Sequence, residues 1–581
     1  MDLSLLSGWH GLALGYAAVQ APMWVSMARA RAPWHRYFTS PLVAAPLMVI
    51  AGVGVAAASA VVPGLDIAHG AIQWTLGLGV SGILGHIAGQ EYSRGPAPDR
   101  LYQRGSVVID RPAATPSPSR SQSQSRSASR SRSANQSQPG VIRLAGRAVS
   151  AEDETKHFKM IGTTGTGKST AIQEILESAL ARGDRAIIAD PDGAYAQRFF
   201  DPARGDRILN PFDEHSVKWD LFSEINNAHD VEQLARSFIP DHAGADRSWR
   251  GYARTFFTAV TRQVHDAGIR DVGELYRLLV VADADELRTL VGGTAAQPFL
   301  DEDNSRMFDS IRSVTSSAVG ALEYVALQKG PNLSVRDWVR SDTPGVLFIP
   351  YKAGQIAALR SMISGWMRLA IFEAMQRGEE GQGADDQKNK PLWFVVDELD
   401  ALGQIDGLKD ALVRLRKFGG RCVVGFQSIA QVSDTYGHGP AHTIVENCGN
   451  SLILRCSASE GGGTAQFASD LIGEREVLRT TTSTSHHPSG RDPSTTQNQH
   501  FSVESAVMPS EIEALPDLVG YLKLASDHAW HRVVLTPLAA KVSQAWAQWR
   551  NRGTEGQRDP EAGRGAETRR SANRGGGAGR E

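Results

Sequence analysis

Two long apolar stretches near the N-terminus are the clearest hydrophobic pattern in this chain of 581 residues. Residues 42–62 carry no charge, and residues 71–89 are interrupted only by Gln73 and His86 as strongly polar side chains. About 20 helical residues span the ~30 Å hydrocarbon core of a bilayer. Arginines flank the pair on both outer sides, which by the positive-inside rule places both ends in the cytoplasm. We therefore expect residues 1–104 to form a membrane region with two transmembrane helices, a hairpin at about 42–62 and 71–89. Two helices buried in a protein core are the alternative.

The residues before this pair, 9–28, are moderately apolar but include His10 and Gln20. They fit either a helix at the membrane interface or a third span, and the pattern does not decide between them. A cleaved signal peptide is disfavoured, because the apolar runs start too late and are too long.

Between residues 149 and 545, short apolar runs alternate with longer helical patterns, which predicts an α/β fold with a doubly wound parallel sheet over 149–225 and 331–545. Residues 226–330 break the alternation with helical patterns alone and predict an all-α insertion domain. The predicted strands are 157–161, 185–189, 346–349, 392–396, 421–426 and 451–455.

Segments of low apolar content separate or extend these regions. Residues 105–148 form a linker rich in Ser, Arg and Pro that cannot bury a core, so we expect it to be disordered. Its arginines could contact anionic lipid or DNA, but the serines dilute the charge, so a flexible tether is the favoured interpretation. Residues 546–581 and the polar insertion 480–500 are also expected to be disordered.

Composition narrows the classes of function. The net charge of −2 gives no global cationic field, so any nucleic-acid contact requires a local patch or an assembled pore. The three cysteines, Cys422, Cys448 and Cys456, lack C-x-x-C spacing and are too few for a disulfide framework. A reducing compartment without structural zinc is therefore expected.

A phosphate-binding motif supplies the first candidate chemistry. Residues 162–169 read Gly-Thr-Thr-Gly-Thr-Gly-Lys-Ser and fit G-x-x-x-x-G-K-[ST] between a predicted strand and a helix. Backbone N–H groups and the helix N-terminus would bind phosphates, Lys168 would reach the β- and γ-phosphates, and Ser169 would ligate Mg²⁺. The predicted ATP-binding residues are Gly162, Thr163, Thr164, Gly165, Thr166, Gly167, Lys168, Ser169 and Thr170.

An acidic pair follows the apolar run 392–396 and completes the motif. Asp397 is placed to hold Mg²⁺ through water, and Glu398 to activate the attacking water as general base. Together with the phosphate loop, the pair predicts an ATP hydrolase rather than a protein that only binds nucleotide.

Two further polar residues have open roles on pattern alone. Gln427 is the first polar residue after its strand, where it either senses the γ-phosphate or serves as a loop amide. Arg416 lies near the end of the helical segment 408–417, where it either interacts with the helix dipole or acts as an arginine finger in a neighbouring subunit.

With these residues, the chain resembles the type IV secretion coupling proteins, the TraD/TraG-like conjugation ATPases of the FtsK/HerA motor group. The resemblance covers most of residues 155–540 and the paired N-terminal stretches. It rests on the motifs at residues 162–169, 188–195, 210–213, 219–220, 395–399, 425–428, 509–512 and 515–516.

The resemblance implies a RecA-like P-loop ATPase that uses ATP and Mg²⁺ in a homo-hexamer. It implies a multi-pass protein of the bacterial inner membrane, in contact with lipid, with its ATPase domain in the cytoplasm. Such a protein would recruit a relaxase bound to DNA and drive single-stranded DNA through a type IV secretion channel during conjugation. Arg416 matches the finger that acts across the subunit interface, and Gln427 matches the family's glutamine. The predicted catalytic residues are Lys168, Glu398, Gln427 and Arg416, and the predicted metal ligands are Ser169 and Asp397.

Two other functions compete with this interpretation. An FtsK-like pump of double-stranded DNA usually ends in a winged-helix domain, whereas residues after 535 offer one short helical stretch and a polar tail. The second competing function is a membrane-tethered docking platform with a mainly structural ATP site. The intact Lys168, Asp397 and Glu398 argue against it.

Overall fold

The computed structural model describes residues 9–29, 34–61, 70–93, 100–110, 140–241, 246–341, 343–380, 391–485, 494–539 and 542–548. The chain divides into two compact units. The first comprises Met1–Arg104 with Glu476–Glu504, and the second comprises Gly105–Arg475 with Ser505–Glu581.

The strands of the described residues are β1 (Arg100–Gly105), β2 (Val108–Ile109), β3 (Arg143–Leu144), β4 (Arg147–Ala148), β5 (Phe158–Ile161), β6 (Arg185–Pro191), β7 (Arg207–Ile208), β8 (Lys218–Trp219), β9 (Asn332–Leu333), β10 (Val346–Tyr351), β11 (Leu392–Val396), β12 (Gly420–Phe426), β13 (Asn450–Ile453), β14 (Glu474–Ser485), β15 (Ser494–Ser505), β16 (Val519–Lys523) and β17 (Trp530–Val534).

The α-helices are α1 (Trp9–Arg29), α2 (Trp34–Val61), α3 (Gly70–Ser93), α4 (Ala151–Glu154), α5 (Lys168–Arg182), α6 (Ala194–Phe199), α7 (Ala228–Phe238), α8 (Arg247–Asp266), α9 (Val272–Tyr276), α10 (Ala284–Leu290), α11 (Ser305–Val319), α12 (Leu322–Leu327), α13 (Val335–Arg340), α14 (Ile356–Glu380), α15 (Leu408–Leu415), α16 (Ile429–Tyr436), α17 (His438–Glu446), α18 (Gly463–Ile472) and α19 (Pro509–Glu513).

The first unit contains three long N-terminal helices, of which α2 and α3 cover the two predicted apolar stretches, and α1 covers residues 9–28. Helix α3 packs so closely on α1 at Gly85 that a Cβ atom there would lie only 2.2 Å from the Val19 carbonyl oxygen. Ser26 Oγ and His86 Nδ1 lie 2.6 Å apart between the same two helices. Among the helices that the structure describes, none combines the length and the apolar character needed to cross a membrane.

The first unit also contains a three-stranded sheet in the order β1-β14-β15. The prediction of disorder for residues 480–500 was therefore wrong at both ends of this segment, while residues 486–493 lie outside the described part. Threonine is favoured in strands, and pairing with β1, distant in the sequence, satisfies the backbone. Ion pairs between Arg104 and Glu476 and between Arg479 and Glu504, both at 2.7 Å, join its strands.

The second unit is built on a ten-stranded sheet with the order β2-β17-β16-β13-β5-β12-β11-β6-β10-β7 among the described residues. The strands from β13 to β7 are parallel, as predicted. Strand β16 runs antiparallel to β13 and to β17, and β2 adds to β17 at the edge. The carboxyl ends of β5, β6, β11 and β12 meet at one edge, where ligands bind in open α/β sheets.

Both faces of this sheet are covered, which explains the continuous apolar runs of its strands. Within β11, Phe394 and Val396 contribute to the core on one face, which includes α14, while Trp393 and Val395 contribute to the core on the other face, which includes α5.

The predicted linker is partly folded where the structure describes it. Residues 108–109 form β2, and residues 143–148 form the β3–β4 hairpin, with Leu144 buried in the core that includes α5. The expectation of disorder was therefore wrong for these ends, and residues 111–139 lie outside the described part. At the C-terminus, residues 544–548 are helical, and the later part of the predicted tail is also outside it.

Helices α7 to α12 lie between β8 and β9, and residues 277–281 form a π-helical turn. The two short strands pair in parallel, Lys218 with Asn332 and Trp219 with Leu333, and so join the two ends of the helical segment. Glu224 ties the same ends together, because its carboxylate accepts hydrogen bonds from Trp219 Nε1 at 2.8 Å and from the Val335 N–H at 2.6 Å.

Candidate functional site

The phosphate loop connects β5 to α5 at the carboxyl edge of the sheet. Gly165 and Gly167 adopt φ angles of +78° and +117°, which side chains disfavour. A Cβ atom at Gly162 would lie 2.9 Å from both Leu454 Cβ and Thr166 Oγ1. These positions therefore require glycine, and the resulting tight turn leaves the N-terminus of α5 facing the cleft.

Lys168 lies folded along this loop. Its Nζ donates to the Gly162 carbonyl at 2.6 Å and to the Thr163 carbonyl at 3.2 Å. Burial lowers the pKa of Lys168, and the carboxylates of Asp397 and Glu398 act in the opposite direction. A poorly hydrated ammonium held by two carbonyls is suited to binding phosphate oxygens.

Ser169 and Asp397 meet beside the loop, because α5 begins where β11 ends. Ser169 Oγ donates to Asp397 Oδ2 at 2.6 Å. The other oxygen, Asp397 Oδ1, is buried and has no hydrogen-bond partner within the described residues. A hydroxyl beside a carboxylate with one free oxygen is a donor set that fits Mg²⁺, which prefers oxygen ligands and retains waters.

Gln427 links the phosphate loop to the second acidic residue. Thr164 Oγ1 donates to Gln427 Oε1 at 2.8 Å, and Gln427 Nε2 donates to Glu398 Oε1 at 3.0 Å. Burial raises the pKa of Glu398, as does the neighbouring charge of Asp397, while the Gln427 hydrogen bond lowers it. A carboxylate of raised pKa is a stronger base toward water.

These residues enclose a cleft of about 180 Å³. The structure thus brings together six of the predicted loop residues, the acidic pair and Gln427, whereas Gly162, Thr163 and Thr166 do not line the cleft. The cleft is lined by Thr164, Gly165, Gly167, Lys168, Ser169, Thr170, Asp397, Glu398, Gln427 and Leu518.

Leu518 was not identified from the sequence. It precedes β16 with a φ angle of +64°, unusual for leucine, and its N–H donates to the Thr166 carbonyl at 2.9 Å. The Leu535 N–H in turn donates to the Leu518 carbonyl at 2.7 Å, and both side chains lie against Gly167. The nearest motif of the family resemblance is the segment 515–516, which ends two residues before Leu518.

Arg416 lies apart from this cleft. It is exposed in a single 3-10 turn, Arg416–Phe418, which precedes β12. Gln427 follows the other end of β12, and seven residues of strand extend over roughly 20 Å. Arg416 is therefore at the amino edge of the sheet and is not part of the cleft in its own chain.

Comparison with known proteins places this geometry in a family. The model described as type IV secretion-system coupling protein DNA-binding domain matches residues 141–536. The coupling protein TraD of Escherichia coli (strain K12) is 31% identical over 392 residues, which are 66% of this chain and 53% of TraD. A conjugal transfer protein TraG of Escherichia coli is 24% identical over 379 residues, which are 57% of each protein. The chain thus spans about half the length of the curated relatives it matches.

Solved structures agree with this placement. The bacterial conjugative coupling protein TrwBdeltaN70 has a TM-score of 0.64 at 28% identity, covering 78% of this chain and 97% of that one. The plasmid coupling protein TrwB in complex with ADP and Mg²⁺ has a TM-score of 0.63 at 27% identity, covering 78% of this chain and 98% of that one.

Proposed function

Because this chain belongs to the type IV secretion-system coupling proteins, we propose that it is an ATP hydrolase that drives single-stranded DNA into a type IV secretion channel. The observation that carries the proposal is the contact series Ser169–Asp397 and Thr164–Gln427–Glu398 around one cleft. A site that only bound nucleotide would not need a carboxylate of raised pKa linked to the phosphate loop.

In this mechanism the phosphate loop and Lys168 bind the β- and γ-phosphates. Ser169 and Asp397 would hold Mg²⁺, which when bound would neutralise charge that develops on the phosphates. Glu398 accepts the proton of the attacking water. Gln427, bonded to both Thr164 and Glu398, positions that carboxylate relative to the loop.

The proposed hexamer gives Arg416 its role. Its place at the amino edge of the sheet, outside its own cleft, supports action on the nucleotide of the next subunit. Heterologous contacts of this kind close into rings. An arginine supplied across an interface stabilises the charge of the transferred phosphoryl group.

We propose further that the N-terminal region anchors the protein in the bacterial inner membrane, with the ATPase unit in the cytoplasm. The uncharged run 42–62 and the arginines outside the pair of stretches support this topology. Labelling single cysteines at residues 32, 66 and 97 in whole cells would test it. Labelling only at residue 66 by an impermeant reagent is expected, and labelling at residue 32 or 97 would contradict the hairpin.

The proposed partners are single-stranded DNA, a relaxase bound to it and the proteins of the channel. The resemblance of the chain to TraD and TrwB supports these partners, and the acidic net charge restricts DNA contact to a local surface or pore.

The test is ATP hydrolysis by the full-length protein with single-stranded DNA, with duplex DNA and without DNA. Marked stimulation by single strands is expected, and Arg416→Ala should remove it. Stimulation by duplex alone would indicate a double-stranded DNA pump. Absence of a DNA response would indicate a docking platform with a structural ATP site.

A further inference from the structure

Tyr195 lies fully inside the second unit and is bonded to the metal-binding carboxylate. The side chain is 1% exposed, and its hydroxyl donates to Asp397 Oδ2 at 2.7 Å. The same oxygen accepts the Ser169 hydroxyl at 2.6 Å. Two donors therefore fix Oδ2, and the unpartnered Oδ1 is left as the free acceptor of this buried carboxylate.

The Asp190 side chain fixes the backbone at Tyr195. Asp190, at the end of β6, accepts hydrogen bonds from the Tyr195 N–H at 3.0 Å and the Ala196 N–H at 2.7 Å. Strand β6 is the direct neighbour of β11, with Ala189 opposite Val396. The hydroxyl and the carboxylate are thus positioned by two paired strands rather than by a mobile loop.

The donor to Asp397 is a phenol hydroxyl, which carries no charge. A phenol hydrogen-bonds to a carboxylate without neutralising it, whereas lysine or arginine would cancel the charge that attracts a cation. Tyr195 therefore restricts the rotation of Asp397 without bringing a positive charge to the metal site.

We propose that Tyr195 is a positioning residue for Mg²⁺, which holds the Asp397 carboxylate beside Ser169, the other predicted metal ligand. This inference rests on the proposed ATPase function, since it concerns the same cleft. The alternative is that Tyr195 only packs in the core and satisfies its own hydroxyl.

The experiment uses the full-length Tyr195→Phe protein, which retains the ring and loses the hydroxyl. ADP affinity is measured by calorimetry with and without Mg²⁺, and ATP hydrolysis is measured against Mg²⁺ concentration. We expect unchanged ADP affinity without Mg²⁺, a gain from Mg²⁺ that is smaller by about five- to twentyfold, and a matching increase in the Mg²⁺ concentration for half-maximal hydrolysis.

Tyr436→Phe is the matched control. This tyrosine is also buried, and its hydroxyl donates to the Gly403 carbonyl and accepts from the Ile405 N–H, both at 3.3 Å. It has no contact with Asp397, so its Mg²⁺ dependence should equal that of the unchanged protein. Melting temperatures of both variants and their ADP affinity without Mg²⁺ show whether the cleft is folded.

Equal Mg²⁺ dependence in Tyr195→Phe and the unchanged protein would overturn the proposal and leave a packing role. The proposal would also be overturned if Tyr436→Phe reduced the gain in ADP affinity from Mg²⁺ as much as Tyr195→Phe does. If the unchanged protein bound Mg²⁺ and ADP but did not hydrolyse ATP, the proposed function would fail, while the calorimetric comparison would still decide the role of Tyr195.

Discussion

At the scale of single residues, the proposed site assigns phosphate binding and water activation to different side chains. Lys168 donates a hydrogen bond to a carbonyl of the phosphate loop. Glu398 accepts a hydrogen bond from the Gln427 side chain instead. Substitutions at the two positions should therefore have different consequences. Loss of the lysine removes affinity, and loss of the carboxylate removes the base.

Glu398→Gln should retain ATP binding and reduce kcat by about 10²- to 10⁴-fold, the usual range for a general base. Nucleotide binding by fluorescence and turnover of phosphate measure the two effects separately. Glu513→Gln, at an exposed carboxylate, is the control and should leave both unchanged. Normal turnover in Glu398→Gln would remove the residue from the mechanism.

Leu518→Ala should raise the KM for ATP a few-fold and leave kcat almost unchanged, because an apolar wall contributes equally to the ground state and the transition state. Steady-state kinetics over a range of ATP concentrations distinguish this from a loss of turnover. A reduced kcat at saturating ATP would show that Leu518 does more than line the cleft.

Motif residues could be predicted from the sequence because their spacing is local, as in the loop that ends in Ser169. Tyr195 and Leu518 could not, because each reaches the site from a distant segment. Tyr195 contacts a carboxylate 202 positions later in the chain. No local pattern indicates which tyrosine will meet which strand end.

At the scale of elements, burial on both faces explains which strands could be predicted. Strands β10 and β11 are continuous apolar runs, and β5, β6, β12 and β13 each contribute apolar residues to both cores. Strands β16 and β17 mix polar and apolar residues and depend on pairing with each other. The β14–β15 pair has the composition of a disordered segment, but it forms a sheet through the pairing of β14 with both β15 and β1.

We expect a pH effect at helix α6, because the Asp190 carboxylate that accepts hydrogen bonds from the Tyr195 and Ala196 N–H groups is buried. Burial, with a smaller contribution from the charge of Asp397, raises the pKa of Asp190 to about 7. The unfolded chain has an ordinary value of 3.8. The stability that protonated Asp190 contributes is therefore complete below pH 3.8 and is lost as the pH rises toward 7.

Asp190→Asn removes this titration. Relative to the unchanged protein, its melting temperature should rise by a few degrees, about 2–4 °C, between pH 4 and pH 7. Thermal unfolding in matched buffers measures the difference. Parallel curves for the two proteins over this range would show that Asp190 does not titrate there.

At the scale of the whole molecule, Lys168 and Arg416 lie on opposite edges of one sheet. A subunit thus carries parts of two different active sites, if Arg416 acts on its neighbour. The order of the strands in the sheet follows from how the chain connects them. The sequence indicated the elements but not their order across the sheet.

Mixing Lys168→Ala and Arg416→Ala subunits tests this division. Each variant alone should be inactive. In rings assembled from equal amounts, about a quarter of interfaces combine an intact Lys168 with an intact Arg416, so ATP hydrolysis should return to about that fraction. A mixture as inactive as its components would indicate that Arg416 serves its own subunit.

The attachment of β2 at the edge of the sheet has a mechanical consequence. Tension on the chain before Ser106 would load the hydrogen bond from the Ser106 N–H to the Glu474 carbonyl and the hydrogen bond from the Trp530 N–H to the Val107 carbonyl. It would also load the two-residue pairing of β2 with β17. Strand β17 leads directly to Leu535, which holds Leu518 over the phosphate loop. We expect that force on this segment weakens the contact of Leu518 and Leu535 with the phosphate loop. ADP should then dissociate faster, and its off-rate should rise with the applied load. An off-rate independent of load would show that force on this segment does not reach the leucine contacts.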